Sequence, residues 1–286
     1  MESQRDKSGT TGKPDYGFYG PDSVAWKVGR EVAVLLGGSR AVLMQLAHPL
    51  VAMGVSKHSS YMSDPFGRAI RTFMHGEWLM FGSMEKARRA AREINNLHKG
   101  VHGMLPIEAG AFHPGTPYDA RYPELLLWVH ATLVDTLLLC YGLFIGPLAP
   151  AEQDEYYQQS KEVAHLLGLL PQKMPGSVHD LRAYVHDVVH SDTLAATPHA
   201  RRLAQQVLFP PASTLLRPAM HLNYQLTSAL LPQPVREIFG ITWDARRQRV
   251  FDVSAWGMRQ VIPRLPIHLR EMPVTRRIIN QTLRAS

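Results

Sequence analysis

LLLWVHATLVDTLLLCYGLFI, residues 125–145, decides how the rest of the chain is read, because it is either a membrane span or the centre of a bundle. It is long enough to cross a bilayer. Asp135 lies at its middle, where a carboxylate costs roughly 3 kcal/mol in lipid, and His130, Thr132 and Thr136 add polarity. No basic cluster flanks either end closely enough to orient a span. The segment therefore reads as the central helix of a soluble bundle, apolar on all sides because other helices surround it. Thr132, Asp135 and Thr136 share one side of it, and a polar strip inside a core requires a hydrogen-bonded partner or a pocket.

On both sides of this stretch the hydrophobic period is helical. Helices are predicted near 22–37, 39–54, 65–82, 84–102, 123–145, 151–169, 178–191, 198–209, 212–231, 244–262 and 267–284. Their ends carry the expected punctuation. Asp64 before Pro65 and Thr197 before Pro198 pair an N-cap with a first-turn proline, and Ser177 with Asp180 resembles a capping box. Alternating β-branched runs and internal repeats are absent. The fold class is all-α, with residues 1–20 as a polar, disordered tail and 21–286 as one helical domain.

Within that frame SMEKARRAAREINNLHKGVHG, residues 83–103, is a helix whose apolar stripe contains a histidine. Met84, Ala87, Ala91, Ile94, His98 and Val101 recur at three- and four-residue intervals, while arginines, glutamates and asparagines fill the remaining circumference. Ser83 caps its start and Gly103 ends it. A buried neutral imidazole requires partners for its ring nitrogens. A metal on one nitrogen satisfies the need, and so does a carbonyl or a water.

One helix earlier, Arg68, Arg71, Thr72 and His75 share a face opposite Phe66, Ile70 and Phe73. Two arginines and a hydroxyl suit an anion, such as a cofactor carboxylate, and equally suit a solvated stripe paired with carboxylates. Upstream, Pro49 is expected to kink the apolar Arg40–Met53 segment and to free a carbonyl near His48.

Composition narrows the function classes. The single cysteine, Cys140, rules out an internal disulfide framework and cysteine-based metal clusters, and fits a reducing, cytoplasmic location. The opening residues contain no apolar run of the kind a signal peptide needs. The formal charge is +7, of which about +6 falls between Asp244 and Ser286, where nine arginines face three acidic residues. That concentration suits a solvated face or an anionic phospholipid surface. Nucleic acid is not expected as a partner, because no helix-turn-helix, zinc finger or aromatic-bearing sheet accompanies the charge.

Four ordered motifs, LAHPLVAMGVSKHSSYMSDPFGRAIRT (46–72), LHKGVHG (97–103), YDARYPELLLWVHATLVD (118–135) and IGPLAPAEQDEYY (145–157), resemble the domain shared by rubber oxygenases and MpaB-type oxygenases, over roughly residues 20–270. The resemblance implies a globin-like helical core around haem b, one axial histidine, and dioxygen-dependent oxidation or cleavage of a hydrophobic isoprenoid or lipid-like substrate. The H-x-x-V-R-G pattern of that family matches His98 to Gly103, which makes His98 the implied iron ligand and puts His102 where arginine is common. Its R-x-x-K/R-T pattern matches Arg68, Arg71 and Thr72 in the implied pocket, with arginine in place of the rubber-cleaving branch's lysine. An intracellular enzyme does not meet rubber, so a different substrate is expected. Thr132 is placed with Arg68, His98 and His102 at the cofactor, and His48, His58 and His130 match recurrent positions.

Three other functions remain compatible with the residues. One is a non-catalytic, membrane-associated helical protein, and a second is a haem-binding sensor or carrier without turnover. The third is a non-haem metal oxidoreductase using His179, His186 and His190, which share a helical face in HDLRAYVHDVVH beside Asp187. If the substrate is a membrane lipid or isoprenoid, the basic C-terminal segment would bring the protein to anionic membranes, with Arg246, Arg247, Arg249, Arg276 and Arg277 acting together. The competing expectation pairs these arginines with Glu152, Asp154 and Glu155.

Overall fold

Helical period translates directly into helices in the computed structural model, which describes residues 15–58, 65–211 and 214–284. In chain order they are α1 (Val24–Gly29), α2 (Gly38–Leu46), α3 (Pro49–His58), α4 (Pro65–Phe81), α5 (Met84–Lys99), α6 (Pro123–Phe144), α7 (Pro150–Leu166), α8 (Val178–Val189), α9 (Pro198–Leu208), α10 (Arg217–Leu230), α11 (Gln233–Phe239), α12 (Ala245–Val261), α13 (Ile267–Arg270) and α14 (Pro273–Arg284). A short antiparallel hairpin of β1 (His102–Met104) and β2 (Pro117–Asp119) separates α5 from α6. The all-α class holds.

α6 is the central helix that its composition implies. By length and hydropathy alone it passes for a membrane span. It is instead packed by α2, α7, α8, α12 and the 3-10 segment Val32–Gly37. Trp128, Ala131, Val134, Cys140 and Phe144 are buried in the main core cluster, although Leu133 reaches the surface. Gly37 explains how closely the 3-10 segment approaches: a Cβ there would lie 2.5 Å from Cys140 Sγ and from Thr136 Cγ2.

The polar strip on α6 finds its partner in Arg40 of α2. That guanidinium is 4% exposed and donates to Asp135 Oδ2 at 2.6 Å, to Thr136 Oγ1, and to the Leu230 carbonyl at the end of α10 at 2.9 Å. Gln45 donates to Thr132 Oγ1 at 3.3 Å, and Trp128 Nε1 donates to the Met44 carbonyl at 3.2 Å. Residues 40, 44 and 45 thus meet residues 136, 128 and 132 along one antiparallel seam.

Several expected boundaries move. The predicted 22–37 helix breaks at Arg30, and at Pro49 the predicted 39–54 helix turns through 104°. Pro273, the first residue of α14, splits the predicted 267–284 helix into α13 and α14 because it disfavours helical backbone at Met272. Residues 15–20, assigned to the tail from the sequence, include groups tied to the fold: Asp15 accepts the Met84 amide, and the buried Tyr19 hydroxyl donates to the Gln159 carbonyl at 2.8 Å. Residues 1–14 lie outside the described residues, as does the Asp64 cap. The Ser83, Ser177 and Thr197 caps all form.

The breaks at Arg30 and α13 are joined by two crossed ion pairs. Arg30 Nε donates to Glu271 Oε1 at 2.6 Å, and Arg270 Nε donates to Glu31 Oε2 at 3.0 Å. Both carboxylates are buried.

Asp135→Ala should lower the unfolding free energy by about 3 kcal/mol, because it leaves the buried Arg40 charge without its counter-ion. Urea unfolding followed by circular dichroism measures this. A loss below about 1 kcal/mol would mean that Thr136 and the Leu230 carbonyl suffice for Arg40.

Candidate functional site

α4 and α5 form a helical hairpin closed by Gly82 and Ser83. They pack extensively on each other, and His75 Nε2 meets Glu93 Oε2 at 3.0 Å. His75, and then Arg89, hold the Glu93 carboxyl below its usual range. In an antiparallel hairpin with equal rise on both helices, that contact brings residues 70 and 71 level with 97 and 98. The sequence-predicted Arg71 and His98 therefore sit at the same height, at the open end of the hairpin.

His98 is half-buried in the last turn of α5, and its Nδ1 is buried with no hydrogen-bond partner. Desolvation holds its pKa below the ordinary imidazole value, opposed by the Asp119 carboxylate on β2. The imidazole is therefore neutral at pH 7, the form that binds a metal. Arg71 and Thr72 are exposed on α4, while the Arg68 side chain lies outside the described residues. Ile70, on the face opposite the arginines, is 62% exposed, and Leu97 on α5 is 66% exposed. The buried residues of α5 are small, Ala87, Ala90 and Ala91, and Ala90 and Ala91 cluster with Leu79 of α4.

Beyond α5 the hairpin strands place His102 opposite Asp119. His102 is exposed and lines a groove of about 380 Å³ with Lys99, Tyr118, Asp119 and Arg121. Asp119 is committed to Arg121, which donates from Nε at 2.9 Å, and Arg121 also holds the carboxyl below its usual range. Thr132, placed at the cofactor from the sequence, is fully buried on the α2/α6 seam. Its hydroxyl donates to the Val129 carbonyl and accepts from Gln45.

Two other matched histidines lie among the packed helices, and His48 Nδ1, like His98 Nδ1, is buried with no hydrogen-bond partner. His48 is buried 5.2 Å from the Phe112 ring, and His130 lies 3.3 Å from Ser160 Oγ; burial pushes each pKa down to about 4. The His58 side chain lies outside the described residues. In α8, His186 and His190 stack with ring centres 4.1 Å apart, and His190 Nδ1 is bonded to the His186 carbonyl at 2.8 Å. Among the described residues no three His, Cys, Asp or Glu side chains converge to hold a bare ion.

A haem group needs one neutral nitrogen ligand, apolar contact for the macrocycle, and cations for its carboxylates. At the open end of the α4/α5 hairpin the neutral His98 imidazole suits the iron, and the exposed Leu97 and Arg71 lie near the same height.

Sequence reading missed Glu77, on the opposite side of α4. It is buried under α14, hydrogen-bonded to Thr275, and desolvation raises its pKa to about 7. Its partner is nearly two hundred residues away, so no local pattern announces it.

A family model described as "ER-bound oxygenase mpaB/B'/Rubber oxygenase, catalytic domain" matches residues 26–260, a span that runs from α1 into α12 and includes both helices of the hairpin. No curated protein and no solved structure matches the chain.

Glu77 supplies a test of how α14 is held on α4. Its raised pKa means that the folded state keeps a proton that the unfolded chain releases near pH 4.5, so stability is present below that pH and is lost as pH rises through about 7. Glu77→Gln keeps the neutral shape. It should match wild type at pH 4 and exceed it by about 3 kcal/mol at pH 8, as read by chemical denaturation at the two pH values. Equal stability at pH 8 would show that the carboxyl ionises there without penalty.

Proposed function

The chain belongs to the ER-bound oxygenase mpaB/B'/rubber oxygenase catalytic-domain family, and from that membership we propose that it is a haem b-dependent oxygenase acting with dioxygen on a hydrophobic, isoprenoid or lipid-like small molecule. His98 would hold the haem iron. The observation that carries this reading is its neutral, half-buried imidazole, with an unpartnered buried nitrogen, in the family's own histidine motif. Haem, when bound, supplies the oxidising chemistry on dioxygen.

The chain's own residues set binding, charge and access. Leu97 would offer apolar surface to the macrocycle. Arg68, by its match to the family's arginine motif, would pair with a haem carboxylate. Arg71, with the Thr72 hydroxyl beside it in sequence, would hydrogen-bond toward negative charge on the oxygen side of the group. His102 is an exposed strand residue. Cys140 is a free, buried thiol, which supports placing the enzyme in the reducing cytoplasm.

The absorption spectrum of the purified protein, supplied with haem, tests the ligand. Wild type and His102→Ala should show a Soret band of similar intensity, and His98→Ala should lose most of it. The reverse order would make His102 the ligand. Arg71→Leu should retain haem and slow substrate oxidation on the order of a hundredfold, since one charge-stabilising donor is worth about 3 kcal/mol in a transition state. Unchanged turnover with haem retained would remove Arg71 from the chemistry.

A further inference from the structure

α12 has two apolar faces, and the fold accounts for one of them. Phe251 and Ala255 are buried, and Met258 and Ile262 pack against the main core, where the helix meets α6 and α10. On the opposite side Val250, Val253 and Trp256 follow at three-residue steps and are 63%, 70% and 66% exposed. Of the five tryptophans, Trp26 and Trp128 are buried, Trp78 and Trp243 are half-buried, and Trp256 alone is exposed. Exposed apolar side chains continue beyond the helix at Val261, Ile267 and Leu269.

Charge selects what this face meets. Arg246 and Arg249 lie one turn before Val250 and Val253 on the same side of the helix, and both are exposed, as are Arg259 and Arg264 farther on. The acidic groups of the segment are engaged. Asp244 caps α12 and pairs with Arg247, Asp252 accepts from Gln248 at 2.8 Å, and Glu271 holds Arg30. The carboxylates proposed from the sequence as partners for these arginines are committed elsewhere: Glu152 to Lys27, Asp154 to the Val178 amide, and Glu155 to Gln159. What faces outward is an aliphatic and indole strip with a guanidinium excess.

We infer that the outer face of α12 is a peripheral docking surface for an anionic phospholipid bilayer, with Val250, Val253 and Trp256 entering the headgroup boundary and Arg246 and Arg249 contacting phosphate or carboxylate headgroups. The indole has an apolar body and a polar N–H, the combination that settles at a lipid–water boundary. Guanidinium groups beside it are drawn to a negative leaflet. A second copy of the chain suits the face less well, because a two-fold contact would set the same arginines against each other. The inference does not depend on what the α4/α5 site holds.

The test is co-sedimentation of the full chain with phosphatidylcholine vesicles, with and without phosphatidylserine, combined with quenching of tryptophan emission by lipids brominated along the acyl chain. Wild type should bind the phosphatidylserine vesicles and be quenched, with binding falling as salt rises. Val253→Asp should weaken binding roughly tenfold, and Arg246→Glu with Arg249→Glu by at least as much. Trp256→Phe should remove the quenching. All these positions are exposed, so the thermal midpoints of the variants should match wild type, which separates lost docking from lost folding. Binding that is insensitive to Val253→Asp, or quenching that survives Trp256→Phe, would overturn the assignment. So would a dimer in light scattering that Val253→Asp abolishes while vesicle binding is absent, an outcome that would make the face a self-association surface.

Discussion

Removing the Arg40 guanidinium from water is the constraint around which the helices are arranged. A buried cation costs several kcal/mol unless its donors are met, and here the acceptors come from two helices far apart in sequence, Asp135 and Thr136 on α6 and Leu230 at the end of α10. Satisfying one side chain therefore fixes α2 against both. Once Arg40 is in register with Thr136, Gln45 falls opposite Thr132 and the Trp128 indole reaches the Met44 carbonyl. Hydrophobic burial alone would leave α6, apolar around most of its circumference, free to rotate. The polar seam gives it one orientation.

That seam shows what the sequence discloses and what it withholds. The length of α6, its Asp135 and the shared side of Thr132, Asp135 and Thr136 are local properties, readable from spacing, and they imply that a partner exists. Which residue it is depends on a contact ninety-five positions away, and no period encodes that. The same division runs through the chain. Ser83, Ser177 and Thr197 cap helices through groups three residues off and were legible. α11 is only seven residues long, too short for a period to stand out, and the three-residue strands of the hairpin carry no alternation. Ile70 lies on an apolar face in the sequence, yet it is 62% exposed, because whether another element covers that face is a tertiary matter.

Four histidines, at 48, 98, 130 and 199, have their pKa lowered by burial, and composition does not distinguish them. Position in the fold does. His48 and His130 lie within packed clusters against Phe112 and Tyr157. His98 stands at the open end of a two-helix hairpin whose other end is closed by a two-residue turn, level with exposed aliphatic side chains and an arginine. The rigid end fixes the spacing of α4 and α5, and with it the height at which His98 stands on α5.

The crossed pairs Arg30–Glu271 and Arg270–Glu31 have a consequence for biogenesis. Glu31 is buried in the finished protein, but its counter-ion is made only about two hundred and forty residues later, which takes on the order of ten to fifty seconds at ordinary translation rates. Until then a carboxylate waits at the break after α1 without the charge that permits its burial. The nascent chain can assemble its local helical hairpins early, yet the closure of the region around α1 is deferred until residue 270 has left the ribosome. A polypeptide that stopped short of residue 270 would expose this defect to chaperones and proteases, so the clasp also reports that synthesis has passed that point.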